Sequence, residues 1–141
     1  MPRSTLALIA ADATAGPPVV SVRGELDVGT APALREWLAA ATDGGTRSAV
    51  IDLRAVTFIA GAALHVLCDE QERLLEHGEH LTIVCDQPEL LNLFQVVELH
   101  GVLDIVPSRA EAFGRRAETD TRPSRHLADW VARHPPDDGV A

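Results

Sequence analysis

Val50 to Leu67 reads VIDLRAVTFIAGAALHVL, and the reading of this stretch decides the fold. Val50, Ile51 and Leu53 make a short apolar strand interrupted at Asp52. Phe58 and Ile59 then lead into a turn of small residues, Ala60-Gly61-Ala62-Ala63. Beyond it Leu64, Leu67, Cys68, Leu74 and Leu75 recur at helical spacing. Strand, tight turn and helix start in succession is where α/β proteins often place a site, because backbone N–H groups and the positive end of the helix dipole point outward there. No side chain in Ala60–Ala63 can do chemistry.

Working outward, apolar strands alternate with amphipathic helices. Ser4–Ala10 and Val19–Val22 read as strands, joined by a hairpin-type loop over Asp12–Pro18. The polar connection Arg23–Gly29 leads to Thr30, placed to cap a helix with Pro32 in its first turn. Leu34, Trp37, Leu38 and Ala41 give that helix one apolar face, and Gly44-Gly45 stops it. The helix after the small-residue turn is expected to end at Gly78.

Leu81–Cys85 is a third clear strand, and Asp86, Pro88 and Glu89 read as a cap, first turn and capping box. The stripe Leu90, Leu93, Phe94 and Val97 follows, with Gly101 as its stop. Leu103–Val106 is a short last strand, and Ser108 with Glu111 opens a terminal helix through Phe113. The pattern predicts an α/β domain over residues 1–114, with a four- to five-stranded, mostly parallel mixed sheet and about four helices. Residues 115–141 read as a polar tail with a short helix near 124–134, where Leu127, Trp130 and Val131 form one apolar stripe before Pro135-Pro136. A tryptophan there is placed to dock on the domain or on a partner.

Composition narrows the function. The chain has 141 residues and a net charge of −9, which excludes the basic face that phosphate contacts need. No apolar run approaches the ~18 residues of a membrane span, and no secretory leader opens the chain, so a cytoplasmic protein without membrane insertion is expected. Cys68 and Cys85 sit in apolar contexts and read as buried reduced thiols. His77, His80 and Cys85 lack the paired spacing of a metal site, and no metal or other cofactor is expected. Glu25, Asp27 and Asp52 are the acids placed around the turn, yet no nucleophile and base converge there, so catalysis is not expected.

From about Leu6 to Phe113 the chain resembles a STAS domain of the anti-sigma-factor-antagonist type. The matching pieces are Gly24-Glu25-Leu26-Asp27 before Thr30-Ala31-Pro32, then Val50-Ile51-Asp52-Leu53 and Val56-Thr57-Phe58-Ile59. Val97-Glu98-Leu99-His100-Gly101-Val102-Leu103 leading to Pro107 and Ser108 fits the end of the family's third helix. In the family, Phe-Ile is followed by Asp, a phosphorylatable Ser or Thr, then usually Ser-Gly and an apolar residue. Here Ala60, Gly61, Ala62 and Ala63 stand in those places, and Leu64 restores the match. The phosphoacceptor position falls on Gly61, which has no hydroxyl. Thr57 and Ser48 are hydroxyls nearby in sequence, but Thr57 is expected within the approaching strand.

The resemblance implies a partner-switching regulator of transcription that binds an anti-sigma factor of the ATPase/kinase fold and is released when phosphorylated. Glu25, Asp27, Thr30, Ala60, Gly61, Ala62, Ala63 and His65 are then the partner-binding residues. Asp27 also has a plainer reading, as a loop carboxylate capping the next helix. His65 divides in the same way between partner contact and packing. A second function remains open, an accessory STAS subunit of a phospholipid transporter or a multi-STAS signalling assembly. A third is a small-molecule sensor with an apolar pocket beside Trp37.

Overall fold

The computed structural model describes residues 6–12, 17–99 and 102–116. The predicted alternation is present. Two strands, β1 (Leu6–Asp12) and β2 (Val19–Leu26), precede helix α1 (Ala31–Ala41). Then come β3 (Ala49–Ile59), α2 (Gly61–Leu75), β4 (Leu81–Val84), α3 (Pro88–Val96), β5 (Asp104–Val106) and α4 (Arg109–Arg116). The five strands form one sheet in sequential order. β1 lies antiparallel to β2, and β2, β3, β4 and β5 are parallel. Parallel neighbours need a crossover connection, which α1, α2 and α3 supply in turn.

Side-chain alternation sorts the sheet into two faces. Val20, Ile51 and Ile83 belong to the large core that includes Leu34 and Leu38 of α1, Leu67 and Leu74 of α2, and Phe94 of α3. Val19, Val50, Val84 and Val106 form a second, smaller cluster with Ala112 of α4. The domain is therefore a sheet between α1–α3 on one side and α4 on the other.

Several local expectations need correction. β2 runs on to Leu26, through residues expected in the polar connection Arg23–Gly29, because they pair with the extended β3. β3 is not a short strand interrupted at Asp52 but runs unbroken for 11 residues, taking in Thr57, Phe58 and Ile59. Its pairing with β2 shifts register between Ser21 and Arg23 and again between Gly24 and Glu25, each time with one extra residue on β3. Those bulges break the period of two, so the strand looks finished at Leu53 when read by alternation.

The cap of α3 is also different. Gln87, not Asp86, holds the N-cap position, and its own side chain does not cap the helix. Gln87 Nε2 donates instead to the carbonyls of Leu53 at 2.7 Å and Val56 at 2.6 Å. β4 ends at Val84, opposite Asp52, so this amide takes up β3 carbonyls that lie beyond the end of β4.

Thr30 occupies the N-cap position of α1 but makes no side-chain cap bond. Its hydroxyl turns back, donating to the Glu25 carbonyl at 2.8 Å and accepting the Asp27 N–H at 2.9 Å. The predicted Ser108 cap is present, with the Glu111 N–H donating to Ser108 Oγ at 3.2 Å. Helix α4 continues past Gly114 to Arg116, and the stripe at Leu127, Trp130 and Val131 lies outside the described residues.

Candidate partner-binding site

Two chain segments meet at the C-terminal ends of β2 and β3. The parallel ladder pairs Glu25 with Phe58 and Leu26 with Ile59, and the Ala60 N–H closes it by donating to the Leu26 carbonyl at 2.7 Å. The loop leaving β2 and the turn leaving β3 are thus neighbours by hydrogen bonding. That adjacency joins Glu25, Asp27 and Thr30 to Ala60, Gly61 and Ala62.

The β2 loop is held by its own hydrogen bonds. Asp27 Oδ1 accepts the N–H groups of Gly29 and Thr30, each at 3.0 Å, and the Asp27 carbonyl accepts the Ala31 N–H at 2.9 Å. Asp27 therefore organises the entry to α1, as its plainer reading expects, while remaining half-exposed. Val28 follows it with 55% of its surface open.

The β3 turn is bare by contrast. Ala60 has the extended backbone of an N-cap residue, φ −107° and ψ 170°, but no side chain caps α2, and its first turn holds no acid. Gly61 is exposed, and a Cβ built there meets nothing within 4 Å. A side chain at position 61 would project into open space without backbone strain.

Burial separates the predicted contacts into two groups. Glu25, Asp27, Thr30, Ala60, Gly61 and Ala62 reach the surface. Ala63 is fully buried and His65 is 7% exposed, so both lie beneath the surface on which they were expected. The start of α2 is buried all round, from Ala63 through Cys68, and this is why a first-turn position need not be a surface one.

Asp52 is likewise not at the turn. It lies on the α4 face of β3 and is 4% exposed. Arg54 binds it in two places, Nε to Oδ1 at 3.0 Å and Nη2 to Oδ2 at 2.7 Å, and Arg109 Nε adds a third contact to Oδ2 at 2.9 Å. Burial pushes this carboxyl up, yet the hydrogen bonds from Arg54 and Arg109 outweigh it and hold Asp52 below the usual carboxylate range.

Other candidates are accounted for locally. Thr57 Oγ1 donates to the Gly24 carbonyl at 3.3 Å, and Ser48 Oγ donates to Glu79 Oε1. The His80 N–H donates to Ser48 Oγ at 3.0 Å, whereas His77 is exposed at the end of α2. Among the described residues no three His, Cys, Asp or Glu side chains group as metal ligands. Both cysteines are buried and outside any disulfide, the Cys85 thiol donating to Gln87 Oε1 at 3.4 Å, and burial pushes the Cys68 thiol up to about 12 and raises that of Cys85. Among the described residues no helix is long and apolar enough to cross a membrane.

With this geometry in hand, comparison with known proteins is informative. The STAS domain family model matches residues 9–112. The chain belongs to the STAS domain family. Several solved structures share its fold. An anti-sigma factor antagonist from Mycobacterium paratuberculosis aligns with a TM-score of 0.71 at 27% identity, covering 79% of this chain and 93% of that one. A STAS domain protein from Planctomyces limnophilus aligns at 0.63 and 19% identity, over 77% and 97% of the two chains. The unphosphorylated anti-sigma factor antagonist SpoIIAA aligns at 0.57 and 16% identity, over 84% of this chain and all of the other. No curated protein matches the chain in sequence.

Within this STAS domain the sequence reading missed two exposed apolar residues beside the turn, Val28 and Phe58. Phe58 is 50% exposed although it lies inside a strand. Ile59 points into the large core, so Phe58 points to the opposite face, beside its ladder partner Glu25. The signal was available only through the bulge at Thr57, which puts two consecutive residues on the outside.

Proposed function

We propose that this STAS domain is a non-enzymatic, cytoplasmic regulator of the anti-sigma-factor-antagonist type, which binds an anti-sigma factor of the ATPase/kinase fold in a partner-switching pathway of transcription. The binding surface consists of Glu25, Asp27, Val28, Thr30, Phe58, Ala60, Gly61 and Ala62. An exposed aromatic and an exposed aliphatic side chain, framed by two carboxylates, give it an apolar anchor and a polar rim.

The observation that carries the reading is Gly61 itself. It stands exposed at the start of α2, against the loop that Asp27 organises, where the family resemblance puts the phosphoacceptor. With no hydroxyl there, no phosphoryl group can add its roughly −1.5 to −2 charges at this position. The surface is then held permanently in the binding state. Control passes to the amount of the protein and to competition with other antagonists.

The test is co-purification. Tagged protein is recovered from its own cell extract, and the bound partner is identified and incubated with ATP, beside a variant carrying Ala60→Asp and Gly61→Ser. Recovery of an anti-sigma-type ATPase that phosphorylates only the variant supports the proposal. Recovery of a transporter ATPase, or of no ATPase with either form, overturns it.

A further inference from the structure

Helix α3 is lightly seated. Only Leu90 and Phe94 of its nine residues are fully buried, while Leu91 is 36% exposed and Val96 68% exposed. Between α3 and β5 lies an open depression of about 470 Å³, lined by Pro88, Leu91, Asn92, Phe94, Gln95 and Ile105. Its floor is apolar and its rim carries two amides. β5 is only three residues long, and among the described residues no further strand pairs beyond it.

The chain holds a segment that matches the depression. Leu127, Trp130 and Val131 fall at i, i+3 and i+4, Ser124 stands where an N-cap would, and Pro135-Pro136 follows. One turn pair with a single apolar stripe cannot bury that stripe alone, and a helix so short is marginal without a partner.

We infer that residues 124–134 dock in cis into the α3–β5 depression, with Trp130 as the anchor against Leu91, Phe94 and Ile105. Three observations carry this. The first is connection. Val106 of β5 packs with Ala112 of α4, while its neighbour Ile105 lines the depression, so the sheet edge to be rounded is one short strand.

The second is reach. α4 ends at Arg116, and the seven residues from Ala117 to Pro123 can span roughly 23 Å. That length is ample for rounding an edge whose covering helix is about 10 Å across. The third is charge. α3 itself carries Glu89 and no cationic residue, whereas the segment carries Arg125 and Arg133 against the single acid Asp129. Intramolecular docking also gains from a high effective concentration, so a modest contact suffices.

The experiment is acrylamide quenching of the full-length chain. Trp130 emission is isolated as the difference between the wild-type protein and Trp130→Phe, which leaves Trp37. The inference expects Trp130 to be several-fold less accessible to acrylamide than in the urea-unfolded chain, independently of protein concentration. Leu91→Arg should restore its accessibility, and so should Val131→Asp, which alters only the segment and leaves the domain core intact. Three results overturn the inference. They are a Trp130 as accessible in the wild type as in these variants, shielding that vanishes on dilution and so marks a second copy as the occupant, and shielding that Leu91→Arg leaves unchanged.

Discussion

Arg109 Nε lies 2.9 Å from Asp52 Oδ2, joining the first turn of α4 to the middle of β3 across 57 positions of sequence. Asp52 is buried, and both of its arginines keep about two-fifths of their side chains in solvent. The arrangement holds α4 over a face whose apolar cluster is small, five residues from Val19 to Ala112.

A pH dependence follows from the direction of the Asp52 shift. The folded-state value lies below the unfolded one, so the contribution to stability is fully present above the unfolded value of about 3.9 and is lost as pH falls through the folded value. Thermal unfolding measured from pH 7 down to pH 2.5 should show a loss that Asp52→Asn largely lacks. Arg109→Ala should cost about 1 kcal/mol at pH 7, because Arg54 still partners the carboxylate. An Asp52→Asn protein with an unchanged acid limb would show that other groups govern it.

Helix α2 begins without a side-chain cap, and Ala60 already has the extended backbone a cap requires. Ala60→Asp should raise stability by about 1 kcal/mol in urea titration, through acceptance of first-turn N–H groups and interaction with the helix dipole. Gly61→Ala should add up to about 1 kcal/mol, since its φ is not positive and a Cβ meets open space.

Gln87 supplies both amide hydrogens to β3 carbonyls. Gln87→Glu replaces those donors with acceptors facing the Leu53 and Val56 oxygens. The variant should lose about 1–3 kcal/mol at pH 7, and part should return at low pH as the carboxyl gains one donor proton. Equal loss at both pH values would mean that the side chain acts only by filling space.

The proposed partner surface can be probed without unfolding the domain. Phe58 is half-exposed, so Phe58→Ala should change stability little yet weaken partner binding by about 2 kcal/mol or more. Asp27→Asn keeps an oxygen for the Gly29 and Thr30 N–H groups, whereas Asp27→Arg removes it and reverses the charge. Affinity measured by calorimetry should fall modestly with the first and strongly with the second.

The strand–helix alternation was legible because the apolar stripes of the helices recur at helical spacing, and the glycines at 44, 45 and 78 do occupy positive φ at helix ends. β3 was not, since two bulges interrupt its alternation and its true length depends on pairing with β2. The Gln87 amide and the Arg109 guanidinium act across dozens of residues, and local pattern carries no such information. Within the site, the juxtaposition of the Asp27 loop and the Ala60 turn was implied by the family resemblance. The burial of Ala63 was hidden, because a helix enclosed on all sides shows no polar face to mark its surroundings, whereas packing was one of the two readings of His65.

The most direct test of a partner surface without a switch is the stability of the purified complex in the presence of ATP. The wild-type domain and the Ala60→Asp, Gly61→Ser variant would each be bound to the anti-sigma ATPase and followed by calorimetry and by phosphate incorporation. The account predicts that the wild-type complex keeps its affinity and takes up no phosphate, whereas the variant is phosphorylated and its affinity collapses. Phosphorylation of the wild-type chain accompanied by release, or failure of both forms to bind, would contradict it.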